Sequence, residues 1–296
     1  MELKQYLQER AVIVDQALRE IMPAQDLYPP KIHEAMHYSV FAGGKRLRPI
    51  LCLAAAEALG RDYQPLLPVA CALEMIHTYS LIHDDLPVMD DDDYRRGKLT
   101  NHKVFGEGIA VLTGDALLTY AFEILARYGE KHQEKKAVWQ VLQEIATAAG
   151  TAGMIGGQVV DLESEGRNLV DKELLVYIHT HKTGALFRAS LRAGALLAGA
   201  SAEELACLTL YAEKFGLAFQ ITDDLLDLVG NQKKLGKPVG SDTKNKKLTY
   251  PTLYGLAEAK RFVREAIEEA ARSLTKLPGK TEPLELLLRY LPEREF

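Results

Sequence analysis

The chain has 296 residues, 47% hydrophobic and 26% charged, ample for a sizeable core and an ordinary charged fraction. A formal net charge of −5 leaves no electrostatic footprint for nucleic acid. Cys52, Cys71 and Cys207 sit singly in apolar helical context and read as buried reduced thiols of a cytoplasmic protein, not as disulfides or zinc ligands.

The first segment, MELKQYLQERAVIVDQAL, is amphipathic and contains acids, so it is expected to be neither signal nor transit peptide. No apolar run reaches about 18 residues, and no membrane span is expected. Helical periodicity dominates and strand alternation is nearly absent. Leu3–Ile21 predicts a first helix, and Lys31–Phe41 a second after the breaker MPAQDLYPP. AGGKRLRP then gathers Lys45, Arg46 and Arg48 in a glycine-loosened turn. Pro49 suits the first turn of a helix over Ile50–Leu59, and a cationic turn at a helix start can take an anion. Further helices are predicted over Leu66–Asp85, Ile109–Tyr128 and Glu134–Ala149, the last with Trp139 as a packing residue. GGQVVDLESEG puts Gln158 and Asp161 on one helix face. Asp171–Gly199 carries the polar knot HTHKTGALF, and Ala202–Val229 a long helix. NQKKLGKPVGSDTKNKKLTYP is a loop. Helices over Tyr250–Leu274 and Pro283–Tyr290 close the chain. With no linker between two compositions, positions 1–296 read as one all-α domain of ten or more helices.

The chemistry concentrates in LIHDDLPVMDDDDYRRG, Leu81–Gly97, where Asp84, Asp85, Asp90, Asp91, Asp92 and Asp93 precede Arg95 and Arg96. Carboxylates this close repel unless cations share the space. Oxygen ligands suit a hard ion such as Mg²⁺, and guanidinium forks match phosphate oxygens. A solvated acidic loop is the bland alternative. Against it stands a second acidic cluster, Asp223, Asp224 and Asp227, inside apolar FQITDDLLDLVG, where unpaired carboxylates are costly. Asp223 and Asp227 lie four apart, one turn apart on one face. Asp84 and Asp90 lie six apart, so a bend around Pro87 must bring Asp90 back.

At these residues the chain resembles the trans-isoprenyl diphosphate synthases, most closely the bacterial-type farnesyl members, over essentially its whole length. Both aspartate motifs match: DDLPVMD (Asp84–Asp90) and DDLLD (Asp223–Asp227). So do GGKRLRP, RRG, GGQVVDL, HKTGALF, FQITDDLLD and LGKPVGSD. The resemblance implies an all-α bundle around a deep central cavity, with a homodimer as the expected assembly. It implies Mg²⁺ as cofactor, three ions per site with Mn²⁺ able to substitute. Asp84, Asp90 and Asp223 would ligate the metal, and Asp85 and Asp227 would ligate or support it. Arg95, Lys182 and Lys237 would neutralise an allylic diphosphate. Lys45, Arg48, His77, Arg96 and the Gly44 backbone would hold isopentenyl diphosphate. Thr183 and Gln220 would place oxygen dipoles near an allylic cation. Gln158 and Asp161 read as supporting residues, and His83 as a core histidine.

The function so implied is Mg²⁺-dependent condensation of isopentenyl diphosphate with dimethylallyl and geranyl diphosphate to (2E,6E)-farnesyl diphosphate. The nearest alternative is a geranylgeranyl or other short-chain synthase. A terpene cyclase would not need Lys45, Arg48 and Arg96, and a non-catalytic subunit would typically lack an aspartate motif. Chain length is assigned to Tyr79, five residues before Asp84 and so about 7–8 Å along the helix axis, with Ser80 beside it too small to block a growing chain. Packing against a neighbouring helix is the competing role for Tyr79.

Overall fold

The computed structural model describes residues 2–132, 136–164, 171–229 and 249–293. They form helices α1 (Leu3–Ile21), α2 (Pro30–Val40), α3 (Leu47–Ala58) and α4 (Leu67–Asp84), then strands β1 (Tyr94–Arg95) and β2 (Lys98–Leu99). Next come α5 (Asn101–Phe105), α6 (Glu107–Lys131), α7 (Ala137–Ala149), α8 (Met154–Ser164) and α9 (Lys172–Ile178). A π-helical turn, His179–Gly184, leads into α10 (Ala185–Leu197). The chain ends with α11 (Ala202–Val229), α12 (Tyr250–Tyr254), α13 (Leu256–Leu274) and α14 (Glu282–Tyr290). The all-α expectation holds, with one two-residue hairpin added.

The helices bury two apolar clusters. α4 and α6 organise the first, with Leu73, Met75, Ile76, Leu117 and Ala121 in it. α11, α13 and α14 organise the second, around Tyr211, Phe215, Val263 and Leu284. α3 and α10 serve both: Cys52, Leu53, Leu186 and Ala193 face the first, while Leu51, Ala55, Phe187 and Leu191 face the second. A helix can do this only if it is apolar nearly all round, as LRPILCLAAAEA is.

One charged group is buried where these layers meet. Arg46, 3% exposed, adopts a left-handed φ of 50° at the start of α3. Its Nε donates to Asp15 Oδ1 at 2.8 Å, Nη1 to Glu74 Oε1 at 2.8 Å and Nη2 to the Val40 carbonyl at 2.7 Å. One guanidinium thereby ties α1, α2 and α4 to the turn that carries Lys45 and Arg48.

Several expectations need correcting. Trp139 does not pack in this chain; it is 63% exposed on α7. Cys52 and Cys71 are buried, but Cys207 is only partly so. No uninterrupted apolar run is present, yet α6 and the segment Gln64–Asp84 reach mean hydropathies of 1.6 and 1.3 over spanning length. The Gln64–Asp84 segment is 67% buried within the bundle, and length and composition alone do not make a span. The helix predicted over Tyr250–Leu274 breaks at Gly255, whose φ is +82°.

Removing Glu74 takes from Arg46 its one fully buried partner and leaves it the half-exposed Asp15, and breaking a buried pair costs about 3–5 kcal/mol. Glu74→Leu is therefore expected to lower unfolding free energy by that order in urea titration. Adding Arg46→Met should recover part of the loss, and a double variant less stable than Glu74→Leu alone would contradict this account.

Candidate active site

α4 delivers Asp84 and then stops, because Pro87 cannot continue it. The chain folds back on itself. The Asp90 backbone N–H donates to the Asp84 carbonyl at 2.8 Å and that of Asp91 to Leu86 at 3.1 Å, with Asp91 at φ 52°. The bend required around Pro87 is thus present. Burial raises the Asp84 carboxyl to about 6; Asp90 and Asp85 add to the rise, while Lys182 and Arg95 oppose it.

The hairpin turns through Arg96 and Gly97, with φ of 54° and 76°, the positive pair that a two-residue hairpin turn needs. This geometry sends the two arginines in different directions. Arg95 returns to Asp85, its Nε 2.7 and 2.8 Å from the two carboxylate oxygens and Nη2 2.5 Å from Oδ1. Asp85 is 3% exposed, so it supports Arg95 from behind. Burial lowers the Arg95 guanidinium, but the bonds to Asp85 outweigh that and raise it overall. Arg96 instead donates to the Gly43 carbonyl and lies against Gly44, where any side chain would collide with its guanidinium.

Around that contact, positive groups gather. Arg48 lies 4.8 Å over the Phe187 ring, and its Nε is sealed without a hydrogen-bond partner. Burial pushes Arg48 down to about 10, with Glu74 opposing and Arg96 adding. Burial and then Arg48, Arg96, Arg95 and Arg46 hold His77 neutral, well below its ordinary value. Lys45 Nζ sits 5.7 Å over the Tyr290 ring. Mutually repelling cations at a helix start make a receptor for an anion. A small cavity of about 30 Å³, lined by Thr78, Asp85, Arg95 and Arg96 among others, adjoins it.

The opposite wall comes from the π-helical turn and α11. Such turns recur at functional sites because they widen the helix and re-aim side chains. Here the turn carries Lys182 and Thr183. Gly157 on α8 lets it approach, since a side chain there would strike the Lys182 backbone. Lys182 Nζ donates to Asp161 Oδ2 at 2.5 Å. Thr183 Oγ1 donates to Gln220 Oε1 at 2.8 Å, and Gln220 Nε2 to Asp224 Oδ1 at 3.4 Å. On α11, Asp223 and Asp227 are partly exposed and Asp224 is buried.

The structure therefore brings Asp84, Asp85, Asp90 and Arg95 together at one corner, Gly44, Lys45, Arg48, His77 and Arg96 at a second, and Lys182, Thr183 and Gln220 across the wall. Lys237, with the whole LGKPVGSD stretch, lies outside the described residues. Tyr79 is 5% exposed and meets the His83 ring edge-on at 5.7 Å; burial raises its phenol to about 12, with Asp84 adding. Ser80 Oγ donates to its own helix at the His77 carbonyl, 2.9 Å away. The roles of Arg46, Glu74, His179 and Asp224 escaped the sequence reading. Only the clustering of HTHK and DDLLD hinted at the last two.

Among the described residues, no three His, Cys, Asp or Glu groups converge into a preformed cage. Asp84 and Asp90 nevertheless offer hard oxygen donors side by side, and at Asp84 burial and neighbouring acids disfavour ionisation. Mg²⁺ fits such a set, because it is held by one or two carboxylates plus water and substrate phosphate oxygens.

Comparison with known proteins agrees with this geometry. Residues 29–281 match the family model described as polyprenyl synthetase. The chain is 50% identical over 274 residues to a farnesyl diphosphate synthase of Geobacillus stearothermophilus, covering 93% of this chain and 92% of that protein. It is 46% identical to a geranylgeranyl diphosphate synthase of Cyanophora paradoxa, covering 98% and 95%. The crystal structure of a geranylgeranyl pyrophosphate synthetase from Pyrococcus horikoshii superposes with a TM-score of 0.88 at 34% identity, covering 99% and 98% of the two chains.

The raised Asp84 carboxyl sets a pH-dependent prediction. Its ordinary value is 3.8 and its folded value about 6, so between those values the folded chain binds a proton that the unfolded chain releases. Stability then falls as pH rises through that window. Asp84→Asn should stabilise the metal-free protein at pH 8 by about 1–3 kcal/mol, an advantage that fades as pH falls towards 4. Urea unfolding in a chelator at several pH values measures this. An Asn variant no more stable than its parent at pH 8 would sink it.

Proposed function

The chain belongs to the polyprenyl synthetase family, and from that premise we propose that it joins isopentenyl diphosphate to dimethylallyl and then geranyl diphosphate, releasing (2E,6E)-farnesyl diphosphate. Prenyl transfer follows from the family. The fifteen-carbon product is the finer reading, since the relatives include both farnesyl and geranylgeranyl synthases. Its support is Tyr79, a buried aromatic ring one helical turn and a residue before Asp84, held edge-on by His83.

In this reading Gly44, Lys45, Arg48, His77 and Arg96 take the isopentenyl diphosphate, whose charge relieves the repulsion among the clustered cations. Arg95, backed by Asp85, and Lys182, backed by Asp161, take the allylic diphosphate. Asp84, Asp90 and Asp223, with Asp227 beside them, would hold Mg²⁺, which when bound supplies positive charge to the leaving diphosphate. The allylic C–O bond breaks and its electron pair leaves with diphosphate. Thr183 and Gln220 direct oxygen lone pairs towards the resulting cation. The isopentenyl double bond forms the new carbon–carbon bond, and the proton lost passes to the released diphosphate. The apolar lining of α4 keeps water from quenching the cation.

The expected assembly, two copies of this chain, is supported by apolar side chains that one copy leaves exposed: Val111 and Leu112 near the start of α6, 41% and 56% exposed, and separately Trp139 on α7, 63%. Burying such side chains contributes about 1.5–3 kcal/mol each.

Incubation with Mg²⁺, isopentenyl diphosphate and radiolabelled dimethylallyl diphosphate tests the function. The expected product from the parent chain has fifteen carbons, and Tyr79→Ala should extend it to twenty or more with turnover retained. A twenty-carbon product from the parent would move the chain to the geranylgeranyl reading, and a fifteen-carbon product from the variant would remove Tyr79 as the stop. By sedimentation velocity the parent is expected to be a dimer and Leu112→Arg largely monomeric; an unchanged distribution would place the contact elsewhere.

A further inference from the structure

We propose that Asp224, alone among the α11 aspartates, acts as a positioning residue: it sets which end of the Gln220 amide faces Thr183. The inference rests on the prenyl-transfer reading for its consequence but on local geometry for its content. A glutamine side chain can present oxygen or NH₂ to a neighbour, and the two ends have the same shape. Something must choose between them. Asp224 is 4% exposed and, as a carboxylate, only accepts. Its Oδ2 accepts the Tyr250 backbone N–H at 3.0 Å. Its Oδ1 faces Gln220 Nε2 at 3.4 Å. The amide oxygen is therefore turned to Thr183, whose hydroxyl donates to it at 2.8 Å. With its single proton committed, the Thr183 oxygen offers only lone pairs to whatever else lies beside it. That is the polarity a developing allylic cation requires, and the reverse orientation would aim a proton at positive charge.

The carboxylate is itself fixed from two sides. His179, in the π-helical turn, has Nε2 at 3.6 Å from Asp224 Oδ2, and its ring stacks on Tyr250 at 5.2 Å. Burial holds this imidazole neutral, at about 3. Asp224 thus sits where α11, α12 and the π-helical turn meet, whereas Asp223 and Asp227 are partly exposed on the same helix. The Thr183–Gln220–Asp224 chain runs away from the surface that those two present.

The test is a pair of isosteric exchanges. In Asp224→Asn, the Tyr250 N–H still needs an acceptor, so the new amide turns its oxygen there and its NH₂ to Gln220. Gln220 must then reverse and give its NH₂ to Thr183. The expected result is a kcat loss on the order of 100-fold, with Michaelis constants for both diphosphates and the melting temperature little changed. Gln220→Glu alone sets two carboxylates face to face and should also lose activity. The double variant Gln220→Glu/Asp224→Asn restores an acceptor facing Thr183 and a donor facing residue 220, so it should recover most of the lost kcat. Without turnover, the side-chain amide resonances of Gln220 in ligand-free protein should shift between the parent and Asp224→Asn. An Asp224→Asn variant with parental kcat, unshifted Gln220 resonances, or two inactive single exchanges with no recovery in the double would each overturn the proposal. Absence of prenyl transfer by the parent would instead count against the functional reading, leaving the resonances to judge the orientation.

Discussion

The site depends on how charges of one sign are kept together inside a helical bundle. A buried carboxylate beside others is driven towards its neutral form, and buried cations beside one another are driven to lose theirs. Both happen here: Asp84 rises to about 6 and Arg48 falls to about 10. Simple pairing would abolish both effects, and the fold prevents it. The hairpin directs Arg95 to Asp85 and Asp92 and Arg96 to Gly43, so the two neighbouring arginines serve different corners. On either side lies a cluster of like charge that a ligand of opposite charge would relieve. A metal diphosphate carries both signs and suits the acidic corner; a bare diphosphate suits the basic one.

Maintaining that separation needs rigid anchors, and these are themselves charged. Arg46 is sealed among Asp15, Glu74 and the Val40 carbonyl, which fixes the turn from which Arg48 springs. The same Glu74 tempers Arg48 from a distance. The buried ion pair is therefore less a source of net stability than a device of position. It holds three helices in register around the turn that leads into α3.

Much of this was legible in the sequence because the costs are large. Aspartates inside apolar helices are expensive, so Asp84 and Asp223 announced a site, and the six-residue spacing across Pro87 required the bend that the Asp90–Asp84 hydrogen bond makes. Long amphipathic helices such as Leu3–Ile21 and Ala202–Val229 were readable to the residue, since hydrophobic period alone sets them. What failed to show depends on tertiary contact. Arg46 and Arg48 look alike in GGKRLRP, and only the tertiary hydrogen bonds of Arg46 mark it as the anchor. The hairpin was hidden in an acidic run that reads as loop, and the exposure of Trp139 on α7 is invisible to composition.

The π-helical turn is the clearest case of structure that sequence periodicity conceals. HTHKTGALF continues a helical pattern on both sides, so the extra residue leaves no trace in the spacing of apolar positions. Its effect is nonetheless decisive. From this one short segment come the Lys182 pair with Asp161, the Thr183 bond to Gln220 and the approach of His179 to Asp224. The widened turn sends three polar interactions, from His179, Lys182 and Thr183, towards two neighbours, α8 and α11. An inserted residue of this kind is tolerated only where side-chain hydrogen bonds compensate the disturbed backbone ladder. The same contacts that stabilise the irregular turn are thus the ones that aim Lys182 and Thr183, and local irregularity and function here have a single physical cause.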